Sequence, residues 1–325
     1  MVERNLAKVE VAGSKPVSRS ILPPSKRTRR AALIEGLLMD PEAVPRPVAE
    51  AGPARRLRDA IEPIATHAFW NLLTNEHNRD RGLGRRPGYV WGRAAALGEP
   101  SAAVVVSAFA WFEPEALSAA YELGRSKVPR AEMLQARDRT TAESLGSILG
   151  DADLEPAVAV LRRGLEAADG TGRALFAGLR SRSWPEDPAG RLWRACDLLR
   201  EHRGDSHIAA CIAAGFGPVE MNILTELWVG MPQTTYTATR SWTEARMEAT
   251  VAGLEAQGLV AEGSLTLAGR TVRERIEEQT DLMEQPIVAA LGGDYRALVA
   301  QLDNWSQTVI DAGGFPADPL KRAAG

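Results

Sequence analysis

A chain of 325 residues with 45% hydrophobic and 25% charged side chains has an ordinary globular make-up, which excludes wholesale disorder and fibrous repeats. At roughly 150 residues per domain it suggests about two units. The formal net charge of −3 is uneven, since residues 1–30 hold eight Lys or Arg against two Glu, whereas residues 217–325 hold eight basic side chains against fifteen acidic ones.

The longest nearly apolar stretch, Ser101 to Phe112, has twelve residues, short of the roughly 20 that span a bilayer as a helix. Glu3, Arg4, Lys8 and Glu10 interrupt the start, so no secretory leader is expected and the chain is assigned to the cytoplasm. Cys196 and Cys211 each sit in an apolar helical pattern and are expected as buried free thiols.

Residues 1–50 are basic, rich in Pro and weakly periodic, which marks an extension: either a flexible tail or an arm whose Lys26, Arg27, Arg29 and Arg30 meet nucleic-acid phosphates. From Arg58 to Leu73, apolar residues at spacings of three and four predict a helix. Tyr89 to Phe112 suits a buried helix pair, with a strand as the alternative at Val104 to Val106. Helices follow at Ala131 to Leu149, Leu154 to Ala168 and Arg173 to Leu179, and the prolines of Ser181 to Pro188 end this run. We expect a helical domain over 51–183 and a second domain over 184–325.

The second domain reads as helix, break, helix: Leu192 to Arg203, a stop at Gly204, then a helix capped by Asp205 or Ser206 and running to Ala214. Val219 to Val229 forms the next. Ser241 to Glu244 fits a capping box, so a helix is expected over Trp242 to Gln257. Glu262-Gly263 then suits a two-residue hairpin between Leu259–Ala261 and Ser264–Thr266, and Thr266 caps a last helix with Val272 and Ile276 turned inward.

Through Leu254 to Val260 (LEAQGLV) and Leu265 to Arg270 (LTLAGR), the chain resembles the MarR-like winged-helix superfamily. A wider resemblance over roughly residues 55–310, carried by Trp184-Pro185, Leu192-Trp193, Leu199 to His207, Ser241-Trp242 and Leu265-Thr266, is to a largely uncharacterised actinobacterial helix-turn-helix family. It implies a mainly α fold: a helical amino-terminal half and a winged-helix half with a short β-hairpin wing.

Direct base readout needs Arg, Lys, Asn or Gln at groove edges. The expected recognition helix carries only Arg246 against Glu244, Glu248 and Glu255, and the wing is headed by Glu262. Arg240, Arg270, Arg273 and Arg275 are left to contact phosphates, or else to form a solvated face with Glu274, Glu277 and Glu278.

His202 and His207 bracket Gly204. With a break there, the helix-end dipoles favour a charged His202 and a neutral His207. Together with Asp205 they form either a hydrogen-bonded corner or the acid/base groups of an active site. No metal site is expected, because this separation matches no ligand spacing, and no cofactor motif occurs. Arg203, His207, Trp193 and Trp228 are the expected ligand-binding residues. The leading expectation is a ligand-responsive regulator that binds a small molecule and DNA and dimerises, with no membrane contact. The alternative is an enzyme of specialised metabolism that uses His202, Asp205 and His207.

Overall fold

A computed structural model describes residues 51–323. Lys26, Arg27, Arg29 and Arg30 lie outside the described residues. The protein is mainly helical. In chain order come α1 (Pro53–Ala65), α2 (His67–Trp70), α3 (Leu72–Asp80), α4 (Arg85–Ala94), α5 (Ala102–Phe109), α6 (Pro114–Lys127), α7 (Arg130–Leu149), α8 (Glu155–Glu166), α9 (Ala174–Arg180) and α10 (Pro188–Ala213). Then follow α11 (Pro218–Val229), α12 (Thr235–Ala238), α13 (Glu244–Glu255), strands β1 (Val260–Ala261) and β2 (Ser264–Leu265), α14 (Leu267–Leu291), α15 (Tyr295–Asp311) and α16 (Pro319–Ala323). The stretch 104–106 is helical, not a strand.

The largest apolar cluster draws Ile61, Leu145, Leu161, Trp193, Ile287 and Leu302 from both sides of position 184. A second cluster centres on Trp91, Phe109 and Tyr121, and a third joins α11, α13, β1 and α14 through Leu224, Leu254, Val260 and Val272. Among the described residues no single helix is long and apolar enough to cross a membrane. Helices α10 and α11 pass such a test only as a pair bent by 110°.

Gly204 does not break a helix: α10 runs through it without interruption. An interior glycine costs only about 1 kcal/mol relative to alanine, whereas Leu198, Leu199, Glu201, His202, Arg203, Asp205 and Ser206 are all buried around it. Tertiary packing therefore overrides the local signal. Asp205 and Ser206 accordingly do not cap a helix start within this segment.

The hairpin has the expected two-residue turn, with Val260 opposite Leu265 and Ala261 opposite Ser264. Glu262 and Gly263 both take positive φ, 50° and 70°, as a turn matched to strand twist requires. Thr266 caps α14, its hydroxyl accepting from the Gly269 amide at 3.0 Å. Helix α13 starts later than the capping-box pattern suggests. Thr243, not Ser241, is its cap, accepting from the Arg246 amide at 3.3 Å, because Ser241 is held at φ 69° and so cannot occupy the extended conformation of a cap.

Candidate functional site

A cavity of about 550 Å³ opens between the amino-terminal helices and the α11–α14 unit. Its walls come from α1, α2, α4, α5, α9, α10, α11, α12 and α14, with Phe315 and Lys321 from the chain's far end. Such concave sites, apolar with a few placed polar groups, are where small molecules bind.

The deep wall is ionic. Helices α10 and α14 lie side by side and are cross-linked along their length. His202 Nδ1 is 2.8 and 2.9 Å from the two oxygens of Glu284, Arg203 donates to Glu277 at 2.6 Å and Asp281 at 2.8 Å, and His207 Nδ1 is 3.1 Å from the Thr280 hydroxyl. Arg273 adds a bond to Glu277 at 2.6 Å, and Arg55 from α1 reaches Glu274 at 2.6 Å and Asp281 at 2.9 Å. Burial opposes the Glu277 carboxylate, but Arg273 and Arg203 more than reverse this and hold it well below the usual range. Arg273, Glu274 and Glu277 are therefore buried members of an ion network, neither a solvated face nor free to meet phosphates.

His207 lines the cavity at mid-helix. Burial, helped by Arg273 and Arg203 and resisted by Glu277, pushes its imidazole down to about 3, so it stays neutral. A helix-end dipole plays no part. Asp205 also faces the cavity, and its carboxylate accepts from the Phe176 amide at 3.1 Å, capping α9 from a neighbouring helix. Burial raises its acid to about 6, against the opposing hydrogen bond. No hydrogen bond joins any two of His202, Asp205 and His207; each is spent on a different partner, Glu284, the Phe176 amide and Thr280 respectively.

Trp193 is not a cavity residue. It is fully buried in the largest core cluster, where its Nε1 donates to the Ala65 carbonyl at 3.1 Å. Trp228 is likewise outside the cavity wall, flanked by the guanidinium groups of Arg55 at 5.8 Å and Arg273 at 4.6 Å from its ring. Arg203 and Arg240 do line the cavity, while Arg246 is exposed on α13. Cys196 and Cys211 are buried free thiols, with burial pushing both up.

The other wall belongs to the segment that leads into α13. Glu226, fully buried, accepts from the amides of Thr234, Tyr236 (3.0 Å) and Thr237 (2.9 Å) and from the Thr237 hydroxyl (3.0 Å). This clamp organises α12, whose four residues are too few to hold a helix unaided. Tyr236, Thr239 and Arg240 then face the cavity. The next residues are tied to its rim: the Arg240 carbonyl accepts from the Glu113 amide at 3.0 Å, and the Trp111 carbonyl accepts from both Trp242 Nε1 and Asn222 Nδ2 at 2.9 Å.

These features define a mainly α-helical protein in which a cation-rich cavity adjoins a helix, short-helix, helix and hairpin unit. Comparison with protein families matches residues 54–316 to a helix-turn-helix family, and the chain belongs to it. No curated protein and no solved structure matches the chain.

Trp111, one of the tryptophans whose type suits either core or pocket lining, does face the cavity. Several other wall residues escape sequence reasoning: Tyr89, Phe109 and Phe112 read only as part of a buried helix pair, and Tyr236 gives no signal at all. A usable signal exists for the ion network. Glu277, Asp281 and Glu284 fall on one helical face, as do His202, Arg203, Ser206 and His207.

Proposed function

We propose that the protein is a ligand-responsive transcriptional regulator whose α11–α14 segment works as a MarR-like winged helix. Helix α13 would enter the major groove and the β1–β2 hairpin would serve as the wing. Membership of a helix-turn-helix family supports DNA binding in general. The observation that carries ligand response is the pair of bonds from the cavity rim to the start of α13, Glu113 N to the Arg240 carbonyl and Trp242 Nε1 to the Trp111 carbonyl. A molecule that displaces Trp111, Tyr236 or Arg240 moves the approach to α13 with them. Two stable arrangements of such a junction, differing in affinity for the ligand, suffice for control.

The exposed cation on α13 is Arg246, beside exposed Glu244, Glu248 and Glu255. Phosphate contact therefore falls largely on Lys26, Arg27, Arg29 and Arg30 of the extension. A homodimer would place two α13 helices in half-sites about 34 Å apart.

The test is retention of genomic DNA fragments by the full chain, followed by anisotropy titration of the best fragment over a salt series. Affinity should fall steeply with salt. Neutralising the four extension cations should flatten the logarithmic slope by about 0.9 for each phosphate that they pair with, and Arg246→Gln should reduce discrimination between sequences. Failure to retain any fragment at low salt would overturn the regulator reading.

A further inference from the structure

The cavity's charges divide into two groups. On the deep wall each cation is answered: Arg93 by Glu201 at 2.6 Å, Arg200 by Glu62 and Glu201 at 3.4 Å, Arg203 by Glu277 and Asp281, and Arg273 by Glu277. At the α4–α12 side, Arg85, Arg86, Arg240 and Lys321 have no carboxylate within 4.0 Å among the described residues.

Arg86, Arg240 and Lys321 meet at α12, held by rings, the Thr239 carbonyl and the Tyr236 and Thr239 hydroxyls, and Arg85 lines the same cavity from α4. Arg240 sits 4.4 Å from the Tyr236 ring centroid and 5.0 Å from that of Phe112. Lys321 approaches the same Tyr236 ring at 5.9 Å, Arg86 reaches the Thr239 carbonyl at 3.5 Å, and Arg85 stacks on Trp70 at 5.4 Å. The Nε of Arg240 is buried with no hydrogen-bond partner among the described residues. Arg240 and Lys321, two like charges on one ring, repel each other, and a buried donor left unmet carries the full cost of its lost hydration. A bound anion relieves both.

Beside this cationic mouth lies an aromatic patch centred on Tyr89, whose ring is 4.3 Å from Phe69, 6.2 Å from Phe109 and 5.9 Å from Phe112. Charge at one end and rings beside it specify the two ends of a ligand. We infer that the cavity binds an organic anion with a planar, ring-bearing body, its head carrying two negative charges between Arg86, Arg240 and Lys321 and its rings against Tyr89, Phe109 and Phe112. Guanidinium forks suit a phosphate ester or paired carboxylates. This deepens the effector-site reading and rests on it.

The test uses the full chain without DNA, titrated by calorimetry with 2-naphthyl phosphate, 2-naphthalenesulfonate and 2-naphthol, which share a ring system and differ in charge. Inorganic phosphate measures the head alone. The expected order is phosphate ester, sulfonate, naphthol, with the ester at least about tenfold tighter than naphthol, one molecule per chain, and inorganic phosphate weaker than the ester. Arg240→Gln and, separately, Lys321→Gln should remove most of the charge preference while leaving naphthol binding within about twofold. Lys321 lies on the short last helix, so its variant guards against misfolding of the first. Equal affinity for naphthol and its phosphate, an unchanged order in both variants, or no binding by any of the three ring compounds would overturn the inference. Anion binding by a chain that retains no DNA would keep this inference and sink the regulator reading; the reverse result would do the opposite.

Discussion

Trp242 at the approach to α13 donates its indole Nε1 hydrogen to the main-chain carbonyl of Trp111, 2.9 Å away, and so fastens the start of α13 to the rim of the cavity. The same carbonyl accepts from Asn222, so removing one donor leaves the acceptor satisfied. Trp242→Phe should therefore cost only about 1 kcal/mol in urea denaturation, the net worth of one hydrogen bond. Its larger effect should be on coupling: a cavity ligand should change DNA affinity less in the variant than in the parent chain. An undiminished ligand effect on DNA affinity would show that this bond transmits nothing.

Two residues next to that bond carry backbone strain. Ala110, before Trp111, has φ 53°, and Ser241, before Trp242, has φ 69°. Such conformations cost roughly 1–3 kcal/mol each for residues with a Cβ, and glycine adopts them without that penalty. Ala110→Gly should then raise the free energy of unfolding in urea, by about 1 kcal/mol at most once the added freedom of the unfolded chain is subtracted. A destabilised variant would show that the Ala110 methyl contributes more packing than its conformation costs.

Gly269 explains why the LTLAGR segment is readable. A Cβ built there would lie 1.9 Å from the Leu259 carbonyl oxygen, so only glycine lets α14 lie against the start of the hairpin. Gly269→Ala should destabilise by about 3 kcal/mol or more, as a steric change with backbone on the receiving side. Gly253, within α13, has nothing within 4 Å of its virtual Cβ. Gly253→Ala should stabilise by up to about 1 kcal/mol. Thermal melts of the pair should move in opposite directions.

The hairpin, the Thr266 cap and the Gly269 packing rest on neighbours within about ten residues, and pattern reaches that far. Gly204 fails the same reasoning because the deciding partners, Glu277, Asp281 and Glu284, are more than seventy residues away on α14. Residue type alone points Trp193 and Trp228 toward the cavity, yet neither lines it. Which tryptophan faces a cavity depends on helix packing. Trp111 does line it, next to Ala110 with its φ of 53°, and residue type alone does not separate it from the tryptophans that stay in the core.

Glu277 receives Arg203 and Arg273 at 2.6 Å each, with Arg55 at 3.9 Å and His207 at 3.7 Å. Arg203 keeps Asp281 if Glu277 is neutralised, but Arg273 has no other carboxylate within 4.0 Å among the described residues and is 3% exposed. Glu277→Gln should cost about 3–5 kcal/mol, the usual result of stranding a buried charge. Replacing Arg273 by Met in the same chain should recover part of it. If the double variant is no more stable than Glu277→Gln, the stranded Arg273 is not the origin of the loss.

Asp205 and His207 face the cavity three and five residues after His202 and give opposite dependences on pH. Asp205 is raised from 3.8 to about 6 by burial. Between those values the folded chain holds a proton that the unfolded chain has released, so this carboxyl stabilises the fold on acidification and costs up to about 3 kcal/mol above pH 6. Asp205→Asn keeps an oxygen to accept from the Phe176 amide and removes the charge. Its stability advantage over the parent should be present at pH 8 and absent near pH 4. His207 is lowered from 6.5 to about 3 by burial, so the unfolded chain takes up a proton first and stability is lost as pH falls below 6.5. His207→Gln should show its advantage only on that acid side. Urea denaturation of the three chains at pH 4.5 and 8 separates the two effects, and an Asp205→Asn advantage that grows on acidification would contradict the burial of an ionised carboxylate at this position.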